Sequence, residues 1–298
     1  MYNELLSIII YVDEQMPTLP RLLQTIRNQH PHGLDYEIII GTSDSKVIAE
    51  LQQWNTINGD NTIYTCLIEN GTCTAEAKNQ CLLKARGSCF TCLTQDNRLS
   101  PDYMRSMEQL ITDTNPPDII YPDHLRMPPP EIRSTSGYAS LPDFNADMLR
   151  RSNILGPAVL VRKRVWEAAH FRSNAIYHEW DLWIQATLLE FSFAHIQECL
   201  VSGEVNTPGF RQRAEDGRGK ALLVINNHAF FHMHTVRWAM AYLRGDQWAS
   251  PWAFMRIPTS LEVTQMMHDH CVQKMGGNRL QEQAFQDFQD EGSTTEAI

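Results

Sequence analysis

Three short blocks of this chain carry residue types that can do chemistry. In Phe90-Thr91-Cys92-Leu93-Thr94-Gln95-Asp96-Asn97 an apolar run passes straight into an acidic, amide-bearing turn. Open α/β sheets place their ligands at the carboxyl ends of strands, and a carboxylate there suits a hard divalent cation, which takes oxygen ligands. Ala75-Glu76-Ala77-Lys78-Asn79, followed by Ala85-Arg86-Gly87, sets cationic side chains on the segment leading into that run. His178-Glu179-Trp180-Asp181-Leu182-Trp183 offers two carboxylates at a helix start beside two tryptophans. A carboxylate so placed can accept a proton, and burial beside an indole raises its pKa toward working pH. Each residue also has a structural reading. Asp96 suits a turn or helix cap, Lys78 an exposed helix face, and Glu179 and Asp181 the positive end of a helix dipole.

These blocks need elements to position them. Leu5 to Val12 is a continuous apolar, β-branched run, as expected of a strand covered on both faces. Pro17, Leu19, Leu22, Leu23 and Ile26 recur at helical spacing. A second buried strand at Tyr36–Ile40 ends in the small polar residues Gly41 to Ser45, and a third is expected over Ile63–Ile68. A helix follows from Ala75 to Ala85, stopped by Gly87, and Cys89–Leu93 returns as a strand. Strands alternating with helices predict a doubly wound sheet with right-handed crossovers. Further on, Asp118–Tyr121 reads as a short strand, Met127 to Asp143 as a long connection and Gly156–Val161 as a strand. Arg162–Ala169 and Glu179–Glu190 read as helices, Gly209–Gly219 as a charged loop, and the remainder as helices with an acidic tail from Gln281. The expected division is a domain over 1–210 and a mainly helical appendage over 211–298.

Composition narrows the function. A chain of 298 residues with 43% hydrophobic content buries a sizeable core. Its 35 acidic and 25 basic residues give a formal charge of −10, which opposes attraction to nucleic acid. The longest apolar run is too short to span a bilayer and lacks the flanks of a secretory signal, so a soluble, cytoplasmic protein is expected. Seven cysteines without a regular framework fit a reducing compartment. Cys89-x-x-Cys92 lacks the second pair of a zinc ribbon.

Taken in order, the three blocks resemble the nucleotide-sugar-dependent glycosyltransferases of family 2, which have the GT-A fold. The resemblance covers roughly residues 5 to 210. It implies an α/β, Rossmann-like doubly wound mixed sheet and an inverting transfer from a nucleotide diphosphate donor, most often UDP-linked, to a hydroxyl acceptor with the help of Mg²⁺ or Mn²⁺. Thr94-Gln95-Asp96-Asn97, with Pro101 and Asp102 after it, stands on the family's Asp-x-Asp or Thr-Asp-Asp-Asn turn, with glutamine at the middle position. Asp96 is then the metal carboxylate, and Thr94 and Gln95 lie against the donor. Lys78 stands where the family has arginine and faces the nucleotide, while Asn79 and Gly87 fix helix packing. Glu179 occupies the position of the catalytic aspartate, with Asp181 as the second candidate base. Asp13 and Asp44, at the first and second strand ends, are the candidates to read the base of the nucleotide.

Downstream, Val205-Asn206-Thr207-Pro208-Gly209 stands where the family tends to have His-Pro-Gly, which makes Asn206 a weaker metal ligand than histidine. His228, His232 and His234 offer substitutes, the first two lying four apart on one helical face, and His228 is the metal candidate among them. Arg211, Arg213, Arg218 and Lys220 form either a lid over the diphosphate or a solvated charge run. Trp238, Trp248 and Trp252 form either an acceptor platform or packing of the tail. Two other functions remain open. One is a catalytically silent GT-A domain that binds a nucleotide or a protein partner. The other is a nucleotidyltransferase, against which the lack of a glycine-rich basic loop after the first strand counts.

Overall fold

The computed structural model describes residues 4–12, 18–30, 33–58, 62–127, 137–204, 210–252 and 256–274. The chain divides into two compact units, Met1–Gly209 and Phe210–Ile298.

The first unit is built on one mixed sheet. Strand β1 (Leu5–Val12), helix α1 (Leu19–Arg27), β2 (Asp35–Thr42), α2 (Ser45–Asn58), β3 (Ile63–Leu67), α3 (Thr74–Lys84) and β4 (Cys89–Leu93) alternate as expected. Next come β5 (Arg98–Leu99), α4 (Tyr103–Ile111), β6 (Ile119–Met127), β7 (Gly137–Ala139), α5 (Ala146–Leu149), β8 (Leu160–Arg162), α6 (Lys163–Ala169), α7 (His178–Leu188) and β9 (Phe193–Glu204). The sheet order is β3-β2-β1-β4-β8-β6-β9-β5, with β7 on β6. Strands β1 to β4 are mutually parallel, and β8 joins both β4 and β6 antiparallel. The strand order reverses between β1 and β4, whose residues Ile10 and Leu93 are in register. The carboxyl ends of these two strands therefore border the crevice where such sheets bind ligands.

Helices cover both faces of the parallel half, so β1 and β2 are apolar on both sides. Ile8, Ile9, Ile10, Ile38 and Ile40 are sealed from solvent, each contributing about 1.5–3 kcal/mol by burial. Helix α1 docks through Leu19, Leu22, Leu23 and Ile26, with proline in its first turn. Gly87 permits the closest approach. A Cβ there would lie 2.5 Å from the Leu5 carbonyl oxygen and 2.5 Å from Ser7 Oγ, and the Gly87 N–H donates to that hydroxyl at 3.0 Å.

Several expectations need correction. The strand expected over Gly156–Val161 is confined to Leu160–Arg162. Gly156 must pass against His124, where a Cβ would meet Nδ1 at 2.7 Å, and Ala158 adopts a left-handed φ of 58°. The short strand at Asp118–Tyr121 extends to Met127, because β7 and β9 pair with its far end. Strand β9 was not anticipated, since its polar residues mask the alternation. In the second unit residues 210–219 of the expected loop lie in helix α8 (Phe210–Asn226), where Lys220 donates to Asp216 one turn earlier at 2.8 Å. That pairing and the burial of Lys220 remove it from the proposed lid. Helix α9 (Met233–Arg244) ends on Gly245 in the left-handed conformation, φ 83°, and a further helix spans 260–274. No helix among the described residues is long and apolar enough to cross a membrane.

Candidate active site

Helices α3 and α7 bring two of the three blocks together. Lys78 lies on α3 and is buried. Its ammonium donates to Glu179 Oε1 at 2.6 Å, across 101 positions of sequence, and to His178 Nε2 at 3.1 Å. It also lies 5.7 Å from the centre of the Phe171 ring. Since an ammonium can only donate, His178 accepts through Nε2 and carries its proton on Nδ1. Burial and the neighbouring Lys78 push the His178 pKa down to about 4, so the ring is neutral at pH 7.

Burial beside the tryptophans was expected to raise the Glu179 pKa. Burial does push it up, but the charge of Lys78 and its hydrogen bond outweigh that and hold the carboxyl below its ordinary 4.5. The same pairing keeps Lys78 above its ordinary value despite burial, with Cys92 as a smaller contributor. Glu179 is thus ionised at neutral pH, and its side chain keeps 37% exposure against 8% for Lys78.

Asn79, next to Lys78, fastens α3 to the segment before α7. Its Oδ1 accepts from Trp166 Nε1 at 2.8 Å and from Phe171 N at 3.2 Å, while Nδ2 donates to Phe171 O at 2.8 Å. Asp181, the second candidate base, is fully buried. It accepts from Arg172 at 3.1 Å and Gln185 at 2.8 Å. These contacts make it a strut of α7 with no access for an acceptor.

Glu179 opens onto a cleft lined chiefly by apolar side chains, among them Phe90, Val159, Val161, Phe171 and Trp183. The space in it for a water-sized molecule is about 10 Å³. Cys92 also lines it, and burial drives that thiol's pKa up to about 12. Cys89 is likewise pushed up to about 11, so this pair consists of inert thiols.

The third block forms a tight turn directly after β4. Asn97 N donates to Thr94 O at 3.0 Å, and Asn97 Oδ1 accepts from Thr94 N at 2.8 Å. Arg98 binds the Gln95 and Asn97 carbonyls at 2.8 and 2.6 Å. The half-buried Asp96 accepts from Thr18 Oγ1 at 3.0 Å, which ties the turn to the start of α1. Gln95 Oε1 is buried and has no hydrogen-bond partner among the described residues. Two neighbouring side chains of the turn thus offer oxygens. That suits a cation drawing its remaining ligands from a diphosphate, for which one or two protein carboxylates suffice. Among the described residues no group of three or more His, Cys, Asp or Glu side chains is arranged to hold a metal by itself.

Other candidates are less favoured. Asp44 caps α2, accepting from Lys46 N at 2.8 Å, a role that accounts for it structurally. Asp13 and Asn206 lie outside the described residues. His228 sits on an exposed 3₁₀ turn (His228–Phe230) and His232 caps α9, so the two do not share a helical face. Trp238 is buried and donates to Ala249 O at 3.0 Å, which makes it packing of the second unit. The Lys78–Glu179 contact, the Thr18 anchor and the unpaired Trp183 indole escaped the sequence reading, because none has a local signature.

Residues 7–136 match the family described as Glycosyl transferase family 2. Among solved structures, the chain is similar to S. aureus TarS 1-349, at 12% identity, with 83% of this chain and 72% of that chain covered and a TM-score of 0.56. The same TarS fragment in complex with UDP-GlcNAc gives 11% identity, 82% and 73% coverage and a TM-score of 0.57. Mannosyltransferase PcManGT from Pyrobaculum calidifontis, in complex with GDP-Man and Mn²⁺, gives 13%, 85%, 73% and 0.59. No curated protein matches the chain. Likeness at these identities shows the fold, which is GT-A. The resemblance drawn from the three blocks is borne out, and family match and fold together support a nucleotide-sugar glycosyltransferase.

Proposed function

We propose that the protein is an inverting glycosyltransferase that moves a sugar from a UDP-linked donor to a hydroxyl acceptor, with Glu179 as the base. The observation that supports this most is the meeting of Lys78 and Glu179, drawn from two separate blocks, beside a cleft that Phe90 and Cys92 of β4 help to line. In a single in-line displacement the acceptor oxygen attacks the anomeric carbon, the bond to the diphosphate breaks, and Glu179 takes the acceptor proton. Lys78 keeps the carboxylate ionised and oriented. Neutral His178 contributes an acceptor to Lys78 without adding charge.

A divalent cation, Mg²⁺ or Mn²⁺, supplies neutralisation of the departing diphosphate when bound. Asp96 and Gln95 would hold it, and the Mn²⁺ of the PcManGT complex supports its use. The TarS complex with UDP-GlcNAc supports uridine as the base. Asp13 and Asn206 retain the roles the resemblance implies. All seven cysteines are free, in keeping with a reducing, cytoplasmic setting.

Replacing Glu179 with Gln should abolish transfer and spare UDP binding, and retained turnover would reassign the base. Calorimetry of UDP with Mn²⁺ on Asp96→Asn should show weakened binding, and an unchanged titration would remove Asp96 as a ligand. A second reading, nucleotide binding without transfer, is favoured by the single carboxylate of the turn and by the engagement of Glu179 with Lys78. Measurable UDP binding with no transfer or donor hydrolysis across a broad panel would select it.

A further inference from the structure

Two cysteines far apart in sequence meet where α3 crosses the sheet. Gly41 of β2 and Cys66 of β3 are in register, so in this parallel pair their side-chain directions fall on the same face. A Cβ on Gly41 would lie 2.6 Å from Cys81 Sγ of α3. Cys81 therefore presses on the sheet beside Cys66, and the bare Gly41 is what leaves its sulfur room. The two thiols are hydrogen-bonded to each other, and Lys84, one turn after Cys81, also bonds Cys66. Cys66 is 1% exposed and Cys81 is sealed.

Ordinary packing leaves such a pair as inert thiols. Here the Cys81 hydrogen bond, with Lys84 behind it, pulls the Cys66 thiol below its ordinary 9.0 against the effect of burial, while Cys81 is held above it. That split sets a thiolate nucleophile next to a thiol that keeps its proton. Position supplies access. Strand β3 ends the sheet and pairs only with β2 among the described strands, its residues Tyr64 and Leu67 are exposed, and segments with few buried contacts open locally at low cost.

We infer that Cys66 and Cys81 form a reversible disulfide under a hydroperoxide, and that this bond acts on the candidate site through α3. The Cys66 thiolate attacks one peroxide oxygen, the O–O bond breaks, and hydroxide leaves and takes up the proton that Cys66 released. Cys66 is then a sulfenic acid. The Cys81 sulfur attacks the Cys66 sulfur, the S–O bond breaks, and water departs with the Cys81 proton. In sum, two thiols are oxidised to a disulfide and hydrogen peroxide is reduced to two waters. A small thiol such as glutathione reverses the bond by exchange. Lys78 lies one turn before Cys81 on α3 and holds Glu179 at 2.6 Å. A covalent bond is shorter than a thiol hydrogen bond, so forming it draws α3 toward β3 and displaces Lys78 relative to Glu179. The action on the site rests on the proposed transfer, whereas the disulfide does not.

The test uses the full chain with the exposed Cys73, Cys199 and Cys271 replaced by serine, treated with hydrogen peroxide, blocked with N-ethylmaleimide and digested without reductant. Mass spectrometry should find the Cys66 and Cys81 peptides joined with two hydrogens lost, and dithiothreitol should separate them. Transfer from whichever UDP-sugar the reduced protein uses should fall about 10²-fold, the usual cost of a displacement near 1 Å, with the acid limb of its pH profile moved to higher pH, and dithiothreitol should restore both. Cys66→Ser and Cys81→Ser should each lose the link and the sensitivity to peroxide. If either variant does not fold, the peptide map of the parent chain decides. Sulfinic acid at Cys66 without a link, Cys81 joined to Cys92 instead, or no oxidation of the pair overturns the inference. A link that leaves transfer unchanged overturns its action on the site. If the reduced protein transfers from no UDP-sugar, the transfer reading fails, and the peptide map decides the disulfide by itself.

Discussion

Two glutamates paired with cations mark opposite ends of α3, and they differ in how fully they are satisfied. Glu37, near the start of β2, accepts from Ser7 Oγ at 2.8 Å, Arg86 N at 2.6 Å and Arg86 Nε at 2.8 Å, with its side chain 3% exposed. Glu179, near the carboxyl ends of the strands, accepts from Lys78 at 2.6 Å and keeps 37% exposure beside an apolar cleft. Both carboxyls lie below their ordinary pKa. For Glu37, hydrogen bonds to Arg86 and Ser7 overcome the upward push of burial, whereas for Glu179 the opposing charge of Lys78 does most of it. A carboxylate saturated by fixed donors is scaffold, while one held by a single cation keeps lone pairs for a substrate.

The contrast can be broken most severely at Glu179. Glu179→Gln should cost about 10²–10⁴-fold in transfer rate, the usual worth of a general base, and it should also lower thermal stability, because the buried Lys78 ammonium loses its carboxylate. Glu37→Ala should cost stability alone. It strands the Arg86 N–H and the Ser7 hydroxyl, at about 2–4 kcal/mol in urea denaturation after allowing for the exposure of Arg86, and leaves the rate per folded molecule intact. Gly87→Ala at the same end should lose about 1–3 kcal/mol, because the new methyl meets the Leu5 backbone oxygen, which cannot retreat.

Smaller effects sharpen the comparison. Lys78→Met removes the main charge that holds the Glu179 carboxyl down, so the acid limb of the pH–rate profile should move to higher pH, and Lys78→Arg should move it back. Stability should also fall in two separate pH windows. His178 has its folded pKa lowered from 6.5 to about 4, so the unfolded chain binds the extra proton and stability declines as pH falls through that interval. Glu37 has its folded pKa depressed below 4.5, so its contribution is present above 4.5 and is lost as pH falls below it. Replacing His178 with Asn should flatten the first window and leave the second, as read by denaturation at stepped pH.

The parallel half of the sheet was legible because its strands are continuous apolar runs and α1 has a clean helical stripe. The GT-A fold was legible through three blocks in a fixed order. Strand β9 was not, since Phe193–Glu204 mixes polar residues at positions that only its pairing with β6 explains. Helix α8 was obscured by its charge and by Gly217 and Gly219, which read as a loop until Asp216 and Lys220 are seen one turn apart. At the proposed site, residue types singled out Asp96 and Glu179 as candidates, but the ion pair that sets the direction of the Glu179 pKa joins residues 101 positions apart. Likewise, no pattern marks Asp181 as a strut, because its partner Arg172 is positioned by a turn before α7.

The account stands on the turn after β4 and the start of α7 serving one bound substrate. A crystal structure with UDP and Mn²⁺ tests this most directly. The account predicts the diphosphate against Asp96 and Gln95, with its terminal phosphate directed toward Glu179 and the cleft. UDP bound away from that turn, or with its terminal phosphate pointing away from Glu179, would contradict it.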